Sequence, residues 1–194
     1  MSKQHLIKNK ITAENPTVLF LQETKFLVQQ LEFIAKKIWK NSAKVAVDAK
    51  GPLGGLAIFW NPKDIQLSDF LATKRTLSTS YHLLGMDHSG YLLTNVYGPQ
   101  LIDNKFAMLQ LLGWLGSLYQ NKDWLLAGDF NMITSLTEKS GGQRRLDRDS
   151  HAFKKFIENS RLINLPTANG LHTWKNKRGG VHQIVSRLDR FLFS

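Results

Sequence analysis

The chain has no cysteine, and this absence excludes several kinds of chemistry. Disulfide bonds, thiol nucleophiles and cysteine-type zinc sites are all ruled out, which is consistent with a reducing compartment. The six histidines, at positions 5, 82, 88, 151, 172 and 182, show no metal-ligand spacing. Each is therefore interpreted as a surface or packing residue.

Long apolar runs are also missing. No run approaches the length needed to cross a bilayer, and the first five residues lack the apolar core of a secretory signal. The sequence therefore predicts an intracellular protein without a membrane partner. A nuclear location follows only if the protein acts on nuclear DNA.

Acidic residues are scarce relative to basic ones. The chain has 15 Asp and Glu against 26 Lys and Arg, which gives a net charge of +11. Such a surface binds polyanions by releasing their counterions, so DNA is a candidate partner. An ordinary soluble basic protein is the alternative that charge alone leaves open.

The 194 residues, 42% of them hydrophobic, suffice for a single sizeable core. We expect one domain over 1–194, acting as a monomer. Apolar periodicity predicts helices before Asn15-Pro16, from Leu27 onward, after Asp103 as N-cap, and over 150–161. Predicted strands lie at 17–21, 44–48, 55–60, 64–71, 79–88, 91–97, 124–127, 162–165, 171–175 and 182–193. This pattern predicts a layered α/β sandwich.

Three carboxylates stand at the ends of predicted strands, namely Glu23, Asp129 and Asp189. At the period of an extended strand, Asp129 and Asn131 point to the same side. Carboxylates that meet at one rim of a sheet can hold a hard cation, and hydrolysis of a phosphodiester requires one. The three carboxylates therefore predict a magnesium site.

Five short motifs in collinear order resemble the endonuclease/exonuclease/phosphatase superfamily, which is also called DNase I-like or apurinic-endonuclease-like. They are Leu-Gln-Glu-Thr at 21–24, Gly-Gly-Leu at 54–56, Asn-Val-Tyr-Gly-Pro at 95–99, Gly-Asp-Phe-Asn at 128–131 and Arg-Leu-Asp-Arg at 187–190. The segments 138–142, 173–174 and 186–192 resemble the endonuclease domain of plant LINE-type non-LTR retrotransposons. The resemblance implies a four-layer α/β sandwich with two mostly antiparallel sheets face to face and helices outside. It also implies a domain that nicks target DNA.

The resemblance assigns roles residue by residue. Glu23 matches the principal Mg²⁺ ligand, with Mn²⁺ as a substitute ion, and no small-molecule cofactor is implied. Asp129 matches the residue that orients or deprotonates the attacking water, and Asn131 the amide that holds the phosphate or that water. Tyr97 matches the tyrosine that contacts the scissile phosphate or protonates its leaving group. Asp189 matches the carboxylate that orients a catalytic histidine.

Each of these residues also has a plain structural interpretation. Glu23 would cap the next helix, and Asp129 with Asn131 would form a turn that closes a strand. Tyr97 would pack at a turn, and Asp189 would form a strand-edge ion pair with Arg190.

Basic residues near the motifs are candidate contacts for DNA phosphates. They are Lys25, Arg144, Arg145, Lys175, Lys177 and Arg178. For each one alone, a solvated surface charge is the competing interpretation. Trp174 is either a base-stacking residue or a core residue, and a tryptophan in a strand favours the core.

The chain departs from the family pattern at both ends. No strand with a Trp-Asn motif precedes Leu6, and no Ser-Asp-His motif follows Asp189. We therefore expect a fold that is incomplete at both termini and an impaired nuclease. Two alternatives stay open: a DNA-binding remnant that does not cut, and a phosphatase of the same superfamily that acts on inositol or small phosphate esters.

Overall fold

The computed structural model describes residues 2–49, 54–85, 90–143, 145–168 and 170–194. Arg144 and residues 86–88 of the predicted strand 79–88 lie outside these ranges. The chain divides into two compact units, Met1–Asn95 and Val96–Ser194. The boundary between the units falls inside a strand, two residues before its end.

The elements that begin in the first unit alternate helices and strands. They are α1 (Lys3–Glu14), β1 (Val18–Gln22), α2 (Val28–Ile38), β2 (Ala43–Val47), β3 (Leu56–Trp60), β4 (Ile65–Ala72), β5 (Thr76–Leu83) and β6 (Tyr91–Tyr97). As predicted, α1 ends at Asn15, which adopts a left-handed conformation before Pro16. The predicted strand 79–88 runs instead over Thr76–Leu83, and its polar first residues are buried inside the sheet.

Strand β3 lies at the centre of the first unit and is buried along its whole length. It pairs antiparallel with β1 and with β2. On one face, Ala57 and Phe59 pack against Leu31 of α2. On the other face, Trp60 makes an edge contact with Tyr81 of β5, with ring centroids 5.3 Å apart. The unit therefore has a helix, a sheet and a second sheet, formed by β4, β5 and β6, in successive layers.

The second unit contains α3 (Ile102–Leu118), β7 (Asp123–Asp129), β8 (Lys139–Ser140), α4 (Arg148–Asn159), β9 (Ile163–Asn164), β10 (Trp174–Lys175), β11 (Val185–Ser186) and β12 (Asp189–Phe193). Short 3-10 helices occupy Leu136–Glu138 and Gly180–His182. Its strands are ordered β7-β12-β9 and β10-β11-β8. Phe153 of α4 stacks on Phe130, with centroids 5.0 Å apart, and fixes the helix against the end of β7.

Three sequence-based expectations about these elements are wrong. The predicted strand 182–193 is divided, after the 3-10 helix Gly180–His182, into β11 and β12, which belong to different sheets. Helix α3 begins at Ile102 after Leu101, so Asp103 is not the N-cap. It lies in the first turn, where its charge still suits the positive end of the helix. Trp174 is 44% exposed rather than buried, because β10 is the edge strand of a small sheet.

The expected mixed α/β architecture, with mostly antiparallel strands and helices packed against them, is confirmed. Among the helices in the described ranges, none has the length and apolar character needed to cross a membrane.

Candidate active site

Two carboxylates face each other at the ends of neighbouring strands in the second unit. Asp129 is the last residue of β7, Asp189 is the first of β12, and the two are Cα partners in the antiparallel register. The contact continues one residue further, where the Phe130 N–H donates to the Leu188 carbonyl at 2.9 Å. Like charges directly opposite each other destabilise a sheet. A bound cation would relieve this repulsion.

Asn131 joins this pair through a tight turn. Its φ is +53°, and its N–H donates to Asp129 Oδ1 at 2.8 Å. Its side-chain Nδ2 donates to the Gly98 carbonyl at 2.6 Å. The strand-period argument for Asp129 and Asn131 is therefore wrong, because β7 ends at Asp129. The turn that closes the strand, which was the structural alternative, brings the two residues together instead.

Tyr97 is held next to the same turn by the residue that follows it. The Gly98 N–H donates to the Asp129 carbonyl at 2.6 Å. A Cβ on Gly98 would lie 2.2 Å from the Phe130 carbonyl oxygen, so only glycine permits this approach. Tyr97 itself ends β6 and is half-buried. The second unit thus gathers Tyr97, Asp129, Asn131 and Asp189 around one turn and one strand end.

Asp189 is exposed, and hydrogen bonds to the side chain of Thr173 fix its backbone. Thr173 Oγ1 accepts the N–H groups of both Leu188 and Asp189, each at 3.0 Å. The suggested strand-edge ion pair with Arg190 is wrong. Successive residues of a strand point to opposite faces, and Arg190 lies in the interior, where it binds Glu138.

Glu23 belongs to the first unit and follows β1 directly. It adopts φ +49° and is exposed. A Cβ on Gly54 would lie 2.2 Å from Glu23 Cα, and the Thr24 N–H donates to the Gly55 carbonyl at 3.1 Å. The glycines of the Gly-Gly-Leu motif therefore allow the backbone at 54–55 to contact the backbone of Glu23 and Thr24 closely.

The capping interpretation of Glu23 is wrong. Helix α2 has Leu27 as its N-cap, and the Leu27 N–H donates to the Gln30 side chain at 3.0 Å. The next N–H, that of Val28, donates to Asp48 Oδ1 at 2.6 Å. These two side chains serve the start of the helix, and Glu23 is exposed at the surface.

Asn95 is a buried residue whose side chain connects strands of the first unit, a role that the sequence analysis did not predict. Its Oδ1 accepts from Gln22 Nε2 at 2.9 Å, and its Nδ2 donates to the carbonyls of Leu21 and Ala57 at 3.0 and 3.1 Å. It thereby fixes the end of β1 immediately before Glu23. The available signal was an amide within the apolar run of β6, because a buried amide must find partners.

Each candidate carboxylate is an oxygen donor of the kind that hard cations take. Within the described residues, no group of three or more His, Cys, Asp or Glu side chains could hold a metal by itself. Mg²⁺ characteristically takes one or two carboxylates and completes its shell with waters and substrate phosphates. Glu23 in the first unit, and Asp129 with Asp189 in the second, offer oxygen donors of that kind.

The candidate phosphate contacts differ in their surroundings. Lys25, Lys175, Lys177 and Arg178 are exposed. The last three lie on β10 and in the loop after it, within the basic hairpin, the name used here for residues 174–186. Arg145 is also exposed, and its Nε binds Asp147 at 2.8 Å. Exposed pairs of that kind are weak, so this arginine can exchange its partner for a phosphate.

A buried ion pair in the second unit was also missed. Glu138 is 4% exposed and Arg190 is 2% exposed. Burial acts to raise the pKa of Glu138, but hydrogen bonds from Arg190 and from the Thr134 N–H outweigh it and hold this pKa below its usual value. Burial, and then the charge of Arg190, lower the pKa of Arg187. The available signal was an arginine at an inward position of an apolar strand.

Comparison with known proteins settles the family. The profile described as the Endonuclease/Exonuclease/phosphatase family matches residues 2–194. The chain belongs to this family. Its members are hydrolytic nucleases and phosphatases, so the chain is an enzyme by family. Among curated proteins, no sequence matches significantly.

Solved structures show the same fold. The endonuclease domain of TRAS1, a telomere-specific non-LTR retrotransposon, is 13% identical with a TM-score of 0.71, over 97% of this chain and 78% of that one. D. rerio TDP2 complexed with single-strand DNA product is 12% identical with a TM-score of 0.67, over 98% and 75%. The human Nocturnin catalytic domain is 15% identical with a TM-score of 0.65, over 98% and 73%. The predicted DNase I-like α/β sandwich is confirmed.

Proposed function

We propose that this chain is a Mg²⁺-dependent phosphodiesterase of the retrotransposon endonuclease type that nicks DNA. The observation that carries the proposal is the meeting of Asp129 and Asp189 as Cα partners beside the Asn131 turn. Similarity to the TRAS1 endonuclease domain supports an endonuclease of the retrotransposon type. The net charge of +11 supports a polyanionic substrate. Both units act as one domain and as a monomer in this proposal.

The residues would divide the hydrolysis among them. Asp129 would orient the attacking water and accept its proton, and Asn131 would hold that water or the phosphate. As the water oxygen bonds to phosphorus, the bond to the 3′ oxygen breaks, and Tyr97 would contact the phosphate or protonate that oxygen. Glu23 would hold Mg²⁺, which supplies positive charge for the phosphate oxygens, and Mn²⁺ would substitute.

Asp189 would orient a catalytic histidine. These 194 residues contain no Ser-Asp-His motif, so we expect a low turnover number from this polypeptide tested alone. Lys25, Arg145, Lys175, Lys177 and Arg178 would contact DNA phosphates, and Arg144 keeps the same proposed role. A nuclear location would follow from the DNA substrate.

The test is nicking of supercoiled plasmid with Mg²⁺ or Mn²⁺. The native chain should convert plasmid to open circles and Glu23→Ala should not. The matched control, Glu32→Ala, removes an exposed carboxylate of the same unit that binds Lys44 and should leave nicking unchanged. A Glu23→Ala variant that nicks like the native chain contradicts the assignment of Glu23.

One specific alternative is favoured by the exposed basic hairpin, namely a DNA-binding remnant that does not cut. Salt-sensitive DNA binding without cleavage by either metal would select it. Faster release of phosphate from a phosphomonoester than nicking of plasmid would select a phosphatase.

A further inference from the structure

The buried ion pair occupies the strand positions next to the two opposed carboxylates. Arg190 follows Asp189 on β12, and its Cα partner is Gly128, the residue before Asp129. Its guanidinium makes a forked contact with Glu138, with Nη1 to Oε1 at 2.7 Å and Nη2 to Oε2 at 2.5 Å. Forked contacts of this kind fix direction as well as distance.

The same ion pair ties down the loop that carries Asn131. This loop runs from residue 130, just after β7, to Glu138. Arg190 Nη2 donates to the Met132 carbonyl at 3.3 Å, and the Thr134 N–H donates to Glu138 Oε2 at 2.6 Å. The Arg187 N–H donates to the Glu138 carbonyl at 2.9 Å. The pair therefore holds the middle and the end of the loop against the chain that leads into β12.

Stability alone is a poor account of this arrangement. Desolvating two charges offsets most of their attraction, and apolar replacements of buried pairs are often neutral or stabilising. Within the described residues, Nε of Arg190 and Nε of Arg187 also have no acceptor. The ring of Phe153, which stacks on Phe130, lies 5.4 Å from Arg190 Cζ. The guanidinium is thus held in one orientation beside the site.

We propose that Glu138 and Arg190 are positioning residues for the hydrolysis. They hold the loop with Asn131 against the strand with Asp189, and so set the geometry of the Asp129 turn without touching the substrate. This inference rests on the proposed function of the same site. Its structural part can nevertheless be tested without turnover.

Hydrogen exchange of the 194-residue chain tests the structural part. Glu138→Gln removes the charge at constant shape, and Arg190→Lys keeps the charge but loses the fork. The matched control is Asp149→Asn, which alters a part-buried ion pair of the same unit, Lys105 to Asp149 at 2.6 Å. The Asn131 amide, which donates to Asp129 Oδ1, should exchange at least about tenfold faster in the first two variants and within about twofold of native in the control.

Unchanged exchange at Asn131 in the two variants would overturn the proposal, and so would an equal rise in the control. If neither variant folds while Asp149→Asn does, the pair serves folding and the positioning role is also overturned. Circular dichroism and thermal melting separate these outcomes.

Steady-state nicking supplies the second readout. A misplaced catalytic group costs up to about 100-fold in rate, so kcat should fall by about 10- to 100-fold while KM stays within about twofold. A kcat no lower than that of Asp149→Asn at equal folded fraction, or a change in KM alone, would contradict positioning. If the native chain does not nick at all, the proposed function fails, while the exchange experiment still decides between positioning and a purely structural pair.

Discussion

Asp189 lies directly opposite Asp129 across the antiparallel strands β12 and β7. Asp189 is exposed and Asp129 is half-buried, so neither side chain is part of the hydrophobic core. Like charges opposite each other are unfavourable in a sheet, so core packing does not account for this arrangement. Its chemical use is to present two carboxylates, backed by the Asn131 turn, at one strand edge.

Replacing one of these carboxylates should separate stability from activity. In Asp189→Asn the repulsion disappears, so the free energy of unfolding in urea should stay unchanged or rise by up to about 1 kcal/mol. Nicking should fall by about 100-fold, because an amide at position 189 no longer offers a carboxylate opposite Asp129 to the cation and the phosphate. Asp103→Asn, at an exposed carboxylate in the first turn of α3, is the control and should leave nicking intact. A destabilised but fully active Asp189→Asn would refute the assignment.

The positions of β1 and β7 could be predicted well from the sequence, and the turns that follow them poorly. Apolar runs located β1 and β7 closely, and this alone placed Glu23 and Asp129 at strand ends. The relation of Asp129 to Asn131 was misjudged, because a left-handed residue ends the strand at that point. Strand periodicity describes only residues that remain extended.

Buried polar residues were the larger omission. Nothing local in the sequence identifies the partners of Asn95 and Glu138. Gln22 lies 73 positions from Asn95, and Arg190 lies 52 positions from Glu138. Such contacts form only after the strands assemble. Propensity and periodicity are local rules, so they cannot supply these pairings. The exposed Trp174 was misjudged for a related reason, since edge and central strands look alike in sequence.

Glycine at position 54 should be indispensable for the presentation of Glu23. An added methyl group would lie 2.2 Å from Glu23 Cα, so Gly54→Ala must push the turn aside. We expect a loss of about 1 to 3 kcal/mol in unfolding free energy, together with loss of nicking. The matched control is Gly113→Ala on helix α3, where an added Cβ has no atom within 4 Å. This change should raise the free energy of unfolding by about 1 kcal/mol. Normal nicking by Gly54→Ala would show that the turn does not need its present shape.

The basic hairpin should contribute to DNA affinity through salt-dependent phosphate contacts. In Lys175→Ala, the slope of log binding constant against log salt concentration should fall by about 0.9 if one phosphate contact is lost. Binding is measured with EDTA present so that cleavage does not interfere. Lys154→Ala is the control, because this exposed lysine of α4 lies 3.9 Å from Glu158 and should leave the slope unchanged. Equal slopes for native chain and Lys175→Ala would remove this residue from the interface.

The lowered pKa of Glu138 predicts a defined dependence of stability on pH. A carboxyl whose folded pKa lies below its unfolded value of about 4.3 stabilises fully above that pH, and the contribution is lost as pH falls through the folded pKa. Glu138→Gln should therefore be less stable than the native chain by about 3 kcal/mol at neutral pH, and the gap should narrow in acid.

Urea denaturation across the acidic range measures the difference in unfolding free energy between the native chain and Glu138→Gln directly. Glu32→Gln is the comparison, because the pKa of Glu32 is also lowered, by an exposed contact with Lys44. Salt screens exposed charges more than buried ones, so added salt should reduce the pH-dependent gap of Glu32→Gln more than that of Glu138→Gln. If the Glu138→Gln gap is constant from neutral pH into acid, the carboxyl is not held ionised by Arg190, and the buried ion pair described above does not persist in solution.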